Sequence, residues 1–175
     1  VGSDILHGHV VLVGYGEKGK IILDELLQRH LSVVVVDDHH AVVEELREKK
    51  VNSIYGDATD PAILIQAHIH EAAILVLAID NEILCRKIVE TAKILHPTIE
   101  TVMPAENEED AKALKADGVA QAFVPDELLA QAIVQFTMSR FGKESEDQKI
   151  REEEAEEQKA IERGCLLYTS PSPRD

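Results

Sequence analysis

The sequence predicts an α/β fold: a doubly wound parallel six-stranded sheet in the order 3-2-1-4-5-6, a single domain with an acidic C-terminal extension. Three observations predict it. Short β-branched runs alternate with helical patterns along most of the chain. Several runs are apolar on both faces, as in Ser32-Val-Val-Val-Val-Asp37, which marks strands inside a parallel sheet covered by helices. A G-x-G-x-x-G turn, Gly14, Gly16 and Gly19, directly follows the first run. Strict alternation implies right-handed crossovers. The glycine turn after strand one implies two mononucleotide halves, with a ligand crevice beside that strand.

The elements follow in order. Val10 to Val13 is the first strand. Lys20 to Arg29 carries Ile22, Leu23, Leu26 and Leu27 on one broad face, as a helix does. Ser32 to Asp37 is the second strand. Ala41 to Lys50 is helical, with Val42, Val43 and Leu46 inward, and Val51 to Tyr55 is the third strand. Asp60-Pro61 opens a helix through Gln66, since Pro suits a first helical position. Ala73 to Ile79 is strand four, and Asn81 to Leu95 a long helix stopped by His96-Pro97. Ile99 to Met103 is strand five. Glu106 to Ala116 is a helix closed by Asp117-Gly118. Ala120 to Val124 is strand six, and Pro125-Asp126 starts a last helix to about Phe141.

That last helix carries two apolar stripes, Leu129, Ile133 and Phe136 on one side and Val134, Met138 and Phe141 on the other. A helix on an open sheet needs one stripe, so the second predicts burial against another chain. Residues 142–164 are Glu-rich with little apolar content, a solvated or disordered connector that can also be helical.

Composition narrows the function. Of 175 residues, 45% are hydrophobic and only 3% aromatic, so the core is aliphatic. A formal charge of −15 supplies no basic stripe for nucleic acid or an anionic membrane surface. Cys85 and Cys165 are too far apart in the chain for zinc spacing, and two thiols suggest no disulfide framework. The longest apolar runs, such as Ala72 to Ile79, fall far short of the ~20 residues of a spanning helix. Both ends read as cut: residues 1–8 as a linker after a lost upstream part, and residues 165–175 as an in-frame sequencing-adapter scar without function.

Each motif glycine has a physical task. Gly14 turns the chain sharply out of the strand, Gly16 clears the place where a pyrophosphate comes close, and Gly19 lets the helix lie tight on the strand. The first-turn N–H groups then point at the ligand. Asp37 lies about twenty residues on, where a carboxylate accepts both ribose hydroxyls and repels a 2′-phosphate. This favours NAD(H) or AMP/ATP over NADP(H). Asp38 reads better as a helix cap or solvated group. In Gly56-Asp57-Ala58-Thr59, Asp57 suits an adenine amino group and Ala58 leaves room for the ring, against a plain turn and cap. Ile79-Asp80-Asn81 faces the middle of the ligand, with Asn81 equally a cap. Glu106 is a weaker candidate after strand five, and Tyr15 lines the pocket from inside the turn. The eight His residues form no ligand set, so no metal is expected. A dehydrogenase needs a proton donor and a substrate site; no Tyr-x-x-x-Lys pair follows Tyr15 or Tyr55, so no catalytic residue is expected and a nucleotide sensor fits better.

These residues together resemble a known family. Gly14-Tyr-Gly16-x-x-Gly19, Val36-Asp37, Tyr55-Gly56-Asp57-Ala58-Thr59-Asp60-Pro61 and Ala116-Asp-Gly-Val-Ala-Gln-Ala-Phe-Val-Pro125 resemble the RCK (regulator of potassium conductance, TrkA-N) domain, in the flavour found in Kef-type potassium/proton antiporters. The match covers residues 9–141. The resemblance implies a homodimerising Rossmann domain, often exchanging its last helix, at the cytoplasmic face of a membrane transport domain. It implies NAD(H), AMP or ATP binding that gates ion flux without hydride chemistry. Carried across, Gly14, Gly16 and Gly19 hold phosphates, Asp37 the ribose, and Asp57 with Thr59 the adenosine end. Lys18 stands near the position where Kef-type proteins often carry Arg. Ala78 and Pro104 occupy two positions that hold carboxylates in calcium-gated relatives, so calcium gating is not expected. The rival expectations are an RCK subunit or domain of a potassium channel or Trk-type uptake system, and a fragment of an NAD-dependent oxidoreductase.

Overall fold

The computed structural model describes residues 6–168. It divides after Pro125 into a sheet unit and a helical unit. The sheet unit runs β1 (Val10–Val13), α1 (Glu17–Gln28), β2 (Val33–Asp37), α2 (His40–Glu48), β3 (Ser53–Tyr55), α3 (Pro61–Gln66), a 3-10 turn (Ile69–Glu71), β4 (Ile74–Leu77), α4 (Glu82–Leu95), β5 (Glu100–Pro104), α5 (Glu108–Ala116) and β6 (Gln121–Phe123). The six strands pair in parallel in the order β3-β2-β1-β4-β5-β6, as the alternation predicts.

The β-branched runs sit where two-sided burial demands them. Val11, Val13, Val34, Val36, Leu75 and Leu77 pack with Leu64 of α3, Cys85 and Ile88 of α4, and Leu114 of α5. Val10, Leu12, Val33 and Val35 point to the opposite face, with Leu23 of α1 and Leu46 of α2. Alternate residues of one strand face opposite sides, so an all-apolar strand needs helices on both. Desolvation among these side chains pushes the Cys85 thiol up to about 11, which keeps it an inert apolar filler.

Helix starts are set by short polar caps. Asp60 accepts from the Ala62 N–H (2.9 Å), Asn81 from Leu84 (3.0 Å) and Asn107 from Asp110 (2.9 Å). The caps place the starts of α4 and α5 one and two residues later than the apolar pattern suggests. Ahead of β1, the Gly8 N–H donates to Glu71 O at 2.7 Å, and buried His9 reaches Ala67 O through Nε2 at 2.9 Å. Both bonds tie residues 6–9 to the chain before β4.

The second unit is α6 (Pro125–Tyr168), described from Asp126 by itself. One sequence expectation changes here. The helix does not end near Phe141 but continues through Gly142 and the Glu-rich stretch to Tyr168. Gly142 costs only about 1 kcal/mol in a helix interior, and Asp147 with Arg151 four residues on and Glu146 with Lys149 three on support a solvated helix. Within this unit Leu129, Ile133 and Phe136 form one stripe of the helix, exposed at 58–66%. Val134, Met138 and Phe141, at 58–60%, are equally exposed. Among the described residues no helix is long and apolar enough to cross a membrane. The linker expectation at residues 1–5 and the adapter expectation at residues 169–175 lie outside the described residues.

Candidate functional site

β1 lies between β2 and β4, with Val13 opposite Val36 and Leu77. The chain leaves β1 at Gly14, whose φ of +97° suits glycine, and whose N–H donates to Val36 O at 2.9 Å. A Cβ there would stand 2.9 Å from Ala78 O. A Cβ on Gly19 would fall 2.1 Å from Gly14 O, so α1 can lie this close to the turn only with glycine. Gly16 differs from both. Its φ of −82° is open to any residue, and a Cβ on it would meet nothing within 4 Å. The fold therefore requires Gly14 and Gly19 and is indifferent to a methyl at Gly16. Gly16 is also the N-cap of α1 and offers no side-chain cap. The first-turn N–H groups are left to an anion, with the positive end of the helix dipole behind them.

One strand over, Asp37 ends β2, 8% exposed. Its Oδ2 accepts from the Tyr15 backbone N–H at 2.9 Å, which ties the carboxylate to the glycine turn. Its Oδ1 accepts from the His39 backbone N–H at 2.8 Å, and the His39 ring Nδ1 lies 2.9 Å from the same oxygen. The hydrogen bond to Asp37 and its charge, then the charge of Asp38, raise the His39 pKa above the ordinary imidazole value. Across the crevice, Asp57 Oδ1 accepts from the Thr59 N–H (2.9 Å) and hydroxyl (2.7 Å), and these bonds hold its carboxyl below the usual range.

Between these groups opens a cleft of about 500 Å³. Gly14, Tyr15, Gly16, Asp37, Asp38, His39, Gly56, Asp57, Ala58 and Asp80 line it, over an apolar floor of Val13, Val36, Val42, Ala78, Ile79, Leu84 and Ile88. Its volume is in the range of small-molecule sites. The chemistry on offer is a phosphate seat at a helix N-terminus, a carboxylate for a diol and an apolar slot for a flat ring.

Residues 10–125 match the TrkA-N domain family. This chain belongs to that family. The TrkA-N domain of the inner membrane protein YbaL from Escherichia coli has a TM-score of 0.71 and 28% identity, over 75% of this chain and 98% of that one. Against the whole of YbaL, identity is 29% over 127 residues, 73% of this chain and 23% of YbaL. Potassium channel protein 1 of Methanocaldococcus jannaschii is 33% identical over 122 residues, 69% of this chain and 37% of the channel. The Kef CTD of Shewanella denitrificans, solved in AMP-bound form, has a TM-score of 0.61 at 24% identity, covering 74% of this chain and 80% of that one. The GsuK channel bound to NAD has a TM-score of 0.61 at 21% identity, covering 70% and 22%. These last two likenesses show the fold. The chain spans only about a quarter to a third of the two curated relatives' length.

In this TrkA-N domain the sequence candidates part company. Gly14, Tyr15, Gly16, Asp37, Asp38, Asp57 and Ala58 line the one cleft. Tyr15, 6% exposed, also belongs to the packing cluster of Leu23 and Leu46. Gly19 lies beneath the turn, as a packing contact. Lys18 pairs with Asp80 at the rim. Thr59 is turned to Asp57, and Asn81 caps α4. His39, one of the eight histidines expected to form no ligand set, places its ring Nδ1 2.9 Å from Asp37 Oδ1 at the cleft. Leu84 and Ile88 were missed as floor residues; their i, i+4 spacing marks a buried face but not which end of it reaches the cleft. Two side-chain groups have cation-like spacing among the described residues, Asp37-Asp38-His39 and Glu82-Glu106-Asp110. Asp37 and Glu82 already hold protein donors, from His39 and from Arg86.

Proposed function

We propose that this TrkA-N domain senses NAD(H) or an adenine nucleotide, AMP or ATP, and regulates a potassium or other cation/proton antiporter. The nucleotide's phosphates sit at the start of α1, its ribose on Asp37 and its adenine between Asp57 and Ala58. The site binds its ligand without transforming it. The transport domain, of the same or another chain, is membrane-embedded, and this domain works at the cytoplasmic face. Bound nucleotide biases two arrangements of a homodimer by its different affinity for each, which is all that a ligand can do.

The observation that carries this reading is Gly16. A Cβ there would meet no protein atom within 4 Å, so packing does not demand glycine, while a phosphate seated at the start of α1 does. The AMP in the Kef CTD, the NAD in the GsuK channel and the antiporter name carried by YbaL support the ligand class and the setting. Gly16→Ala tests it. Its Cβ meets no protein atom within 4 Å, so the change is expected to cost no more than about 1 kcal/mol of stability as a poorer N-cap, while NADH and AMP affinity in calorimetry drops at least about ten-fold. Equal affinity would remove the phosphate seat.

The identity with Potassium channel protein 1 supports a second setting, gating of a potassium channel, with the same site. In either setting the homodimer forms through the Val134, Met138 and Phe141 face of α6. Three large apolar side chains exposed at 58–60% on one face support it. Changing all three to Ser is expected to turn a dimer into a monomer in light scattering with the helical circular dichroism kept. A dimer that survives would place the interface elsewhere.

A further inference from the structure

Asp37 is short of free lone pairs. Oδ2 holds the Tyr15 N–H, and Oδ1 holds the His39 N–H with the His39 ring Nδ1 at 2.9 Å. A carboxylate oxygen offers about two acceptor sites. Oδ1 is thus fully subscribed, and Oδ2 keeps one. A ribose diol donates two hydroxyls, so it needs one site that the ring now holds. The backbone N–H of His39 is fixed at the start of α2 and cannot yield. The ring can: the His39 side chain is 76% exposed. We propose that His39 is a proton-controlled latch on the ribose carboxylate, its ring leaving Asp37 when a nucleotide binds. This rests on the nucleotide reading above and adds to it a specificity and regulatory residue.

The charge around the ring fixes the sign. From its own loop, Asp37 and Asp38 face it, the latter at 2.9 Å from the same Nδ1. His40 and Glu44 follow on α2. Asp57 from the β3–α3 loop and Asp80 from the β4–α4 loop line the same cleft. Asp80 is offset by Lys18 of α1, and Lys20 of α1 lies over the Tyr15 ring. The surroundings favour a charged imidazole. The free domain therefore holds the His39 proton above the ordinary imidazole range, through Asp37 first. When the ring swings out it loses Asp37 and keeps Asp38. Its pKa falls, and a proton is released on binding. By linkage, affinity is full above the raised pKa and declines as pH falls through it.

The probe is NAD+, whose pyrophosphate stays ionised throughout, unlike the phosphate monoester of AMP. Calorimetry between about pH 5.5 and pH 8.5 is expected to show affinity falling several-fold toward the acid end, with proton release read from the buffer dependence of the enthalpy. His39→Gln, which cannot titrate, is expected to bind with a flatter profile and to retain affinity at the acid end. The His39 ring followed by NMR is expected to titrate lower with saturating NAD+ than without. A wild-type profile that is flat, that rises toward acid, or that His39→Gln reproduces would overturn the latch while leaving the nucleotide site standing. No NAD+ binding at any pH would overturn the nucleotide reading, and the latch with it.

Discussion

Asp37→Arg is expected to abolish NADH and AMP binding in titration calorimetry. The carboxylate ends β2 in the cleft, 8% exposed, and is held in place by the Tyr15 N–H at 2.9 Å. Two charge-assisted hydrogen bonds contribute about 1.5–3 kcal/mol each, so their loss weakens binding by roughly a hundred-fold or more. Arg would also orphan the Tyr15 and His39 N–H groups, so a folding defect must be separated from a binding defect. Asp37→Asn does that. Its amide oxygen can still accept from Tyr15, and the fold is expected to survive while most of the affinity goes. An Asn variant that melts normally and binds as wild type would take Asp37 out of the site.

Gly19→Ala is expected to be the most damaging of the glycine changes to stability. Its Cβ would lie 2.1 Å from the Gly14 carbonyl oxygen, a backbone atom in the turn that Asp37 and Tyr15 brace. No side-chain rotation relieves that clash. Pushing α1 away would open the packing of Leu23 against Val10, Leu12 and Val35. Overpacking of this kind costs about 1–3 kcal/mol or more, which in a chain of this size lowers the melting temperature by roughly 2–12 °C. Gly16→Ala in the same turn, whose Cβ meets no atom within 4 Å, is expected to cost no more than about 1 kcal/mol. The pair separates a glycine that packing requires from one that packing does not require, and equal destabilisation by both would erase the distinction.

Much of the lining of the candidate cleft was legible because its signals are local. Gly14, Gly16 and Asp37 each follow a β-branched run, and a strand's carboxyl end is where such a sheet presents its loops. The helix starts were less legible. Asn81 and Asn107 look the same in sequence whether they meet a ligand or cap a helix, and only the 3.0 Å and 2.9 Å bonds to Leu84 and Asp110 show the capping. Lys18 and Thr59 have the same ambiguity. A positive charge and a hydroxyl beside a phosphate motif suggest ligand contacts, yet here they meet Asp80 and Asp57.

The amino-acid sequence by itself determined the sheet and the turn. Period, branching at Cβ and glycine spacing act within a few residues, and a strand apolar on both faces has few other folds open to it. The tertiary structure alone decided which glycines packing requires, because that depends on how backbone is brought together, the Ala78 carbonyl from beyond β4 against Gly14 and the Gly14 carbonyl against Gly19. It also decided that the His39 ring sits on the Asp37 oxygen that a sugar would need. Neighbours brought together by parallel pairing leave no trace in the spacing of residues along the chain.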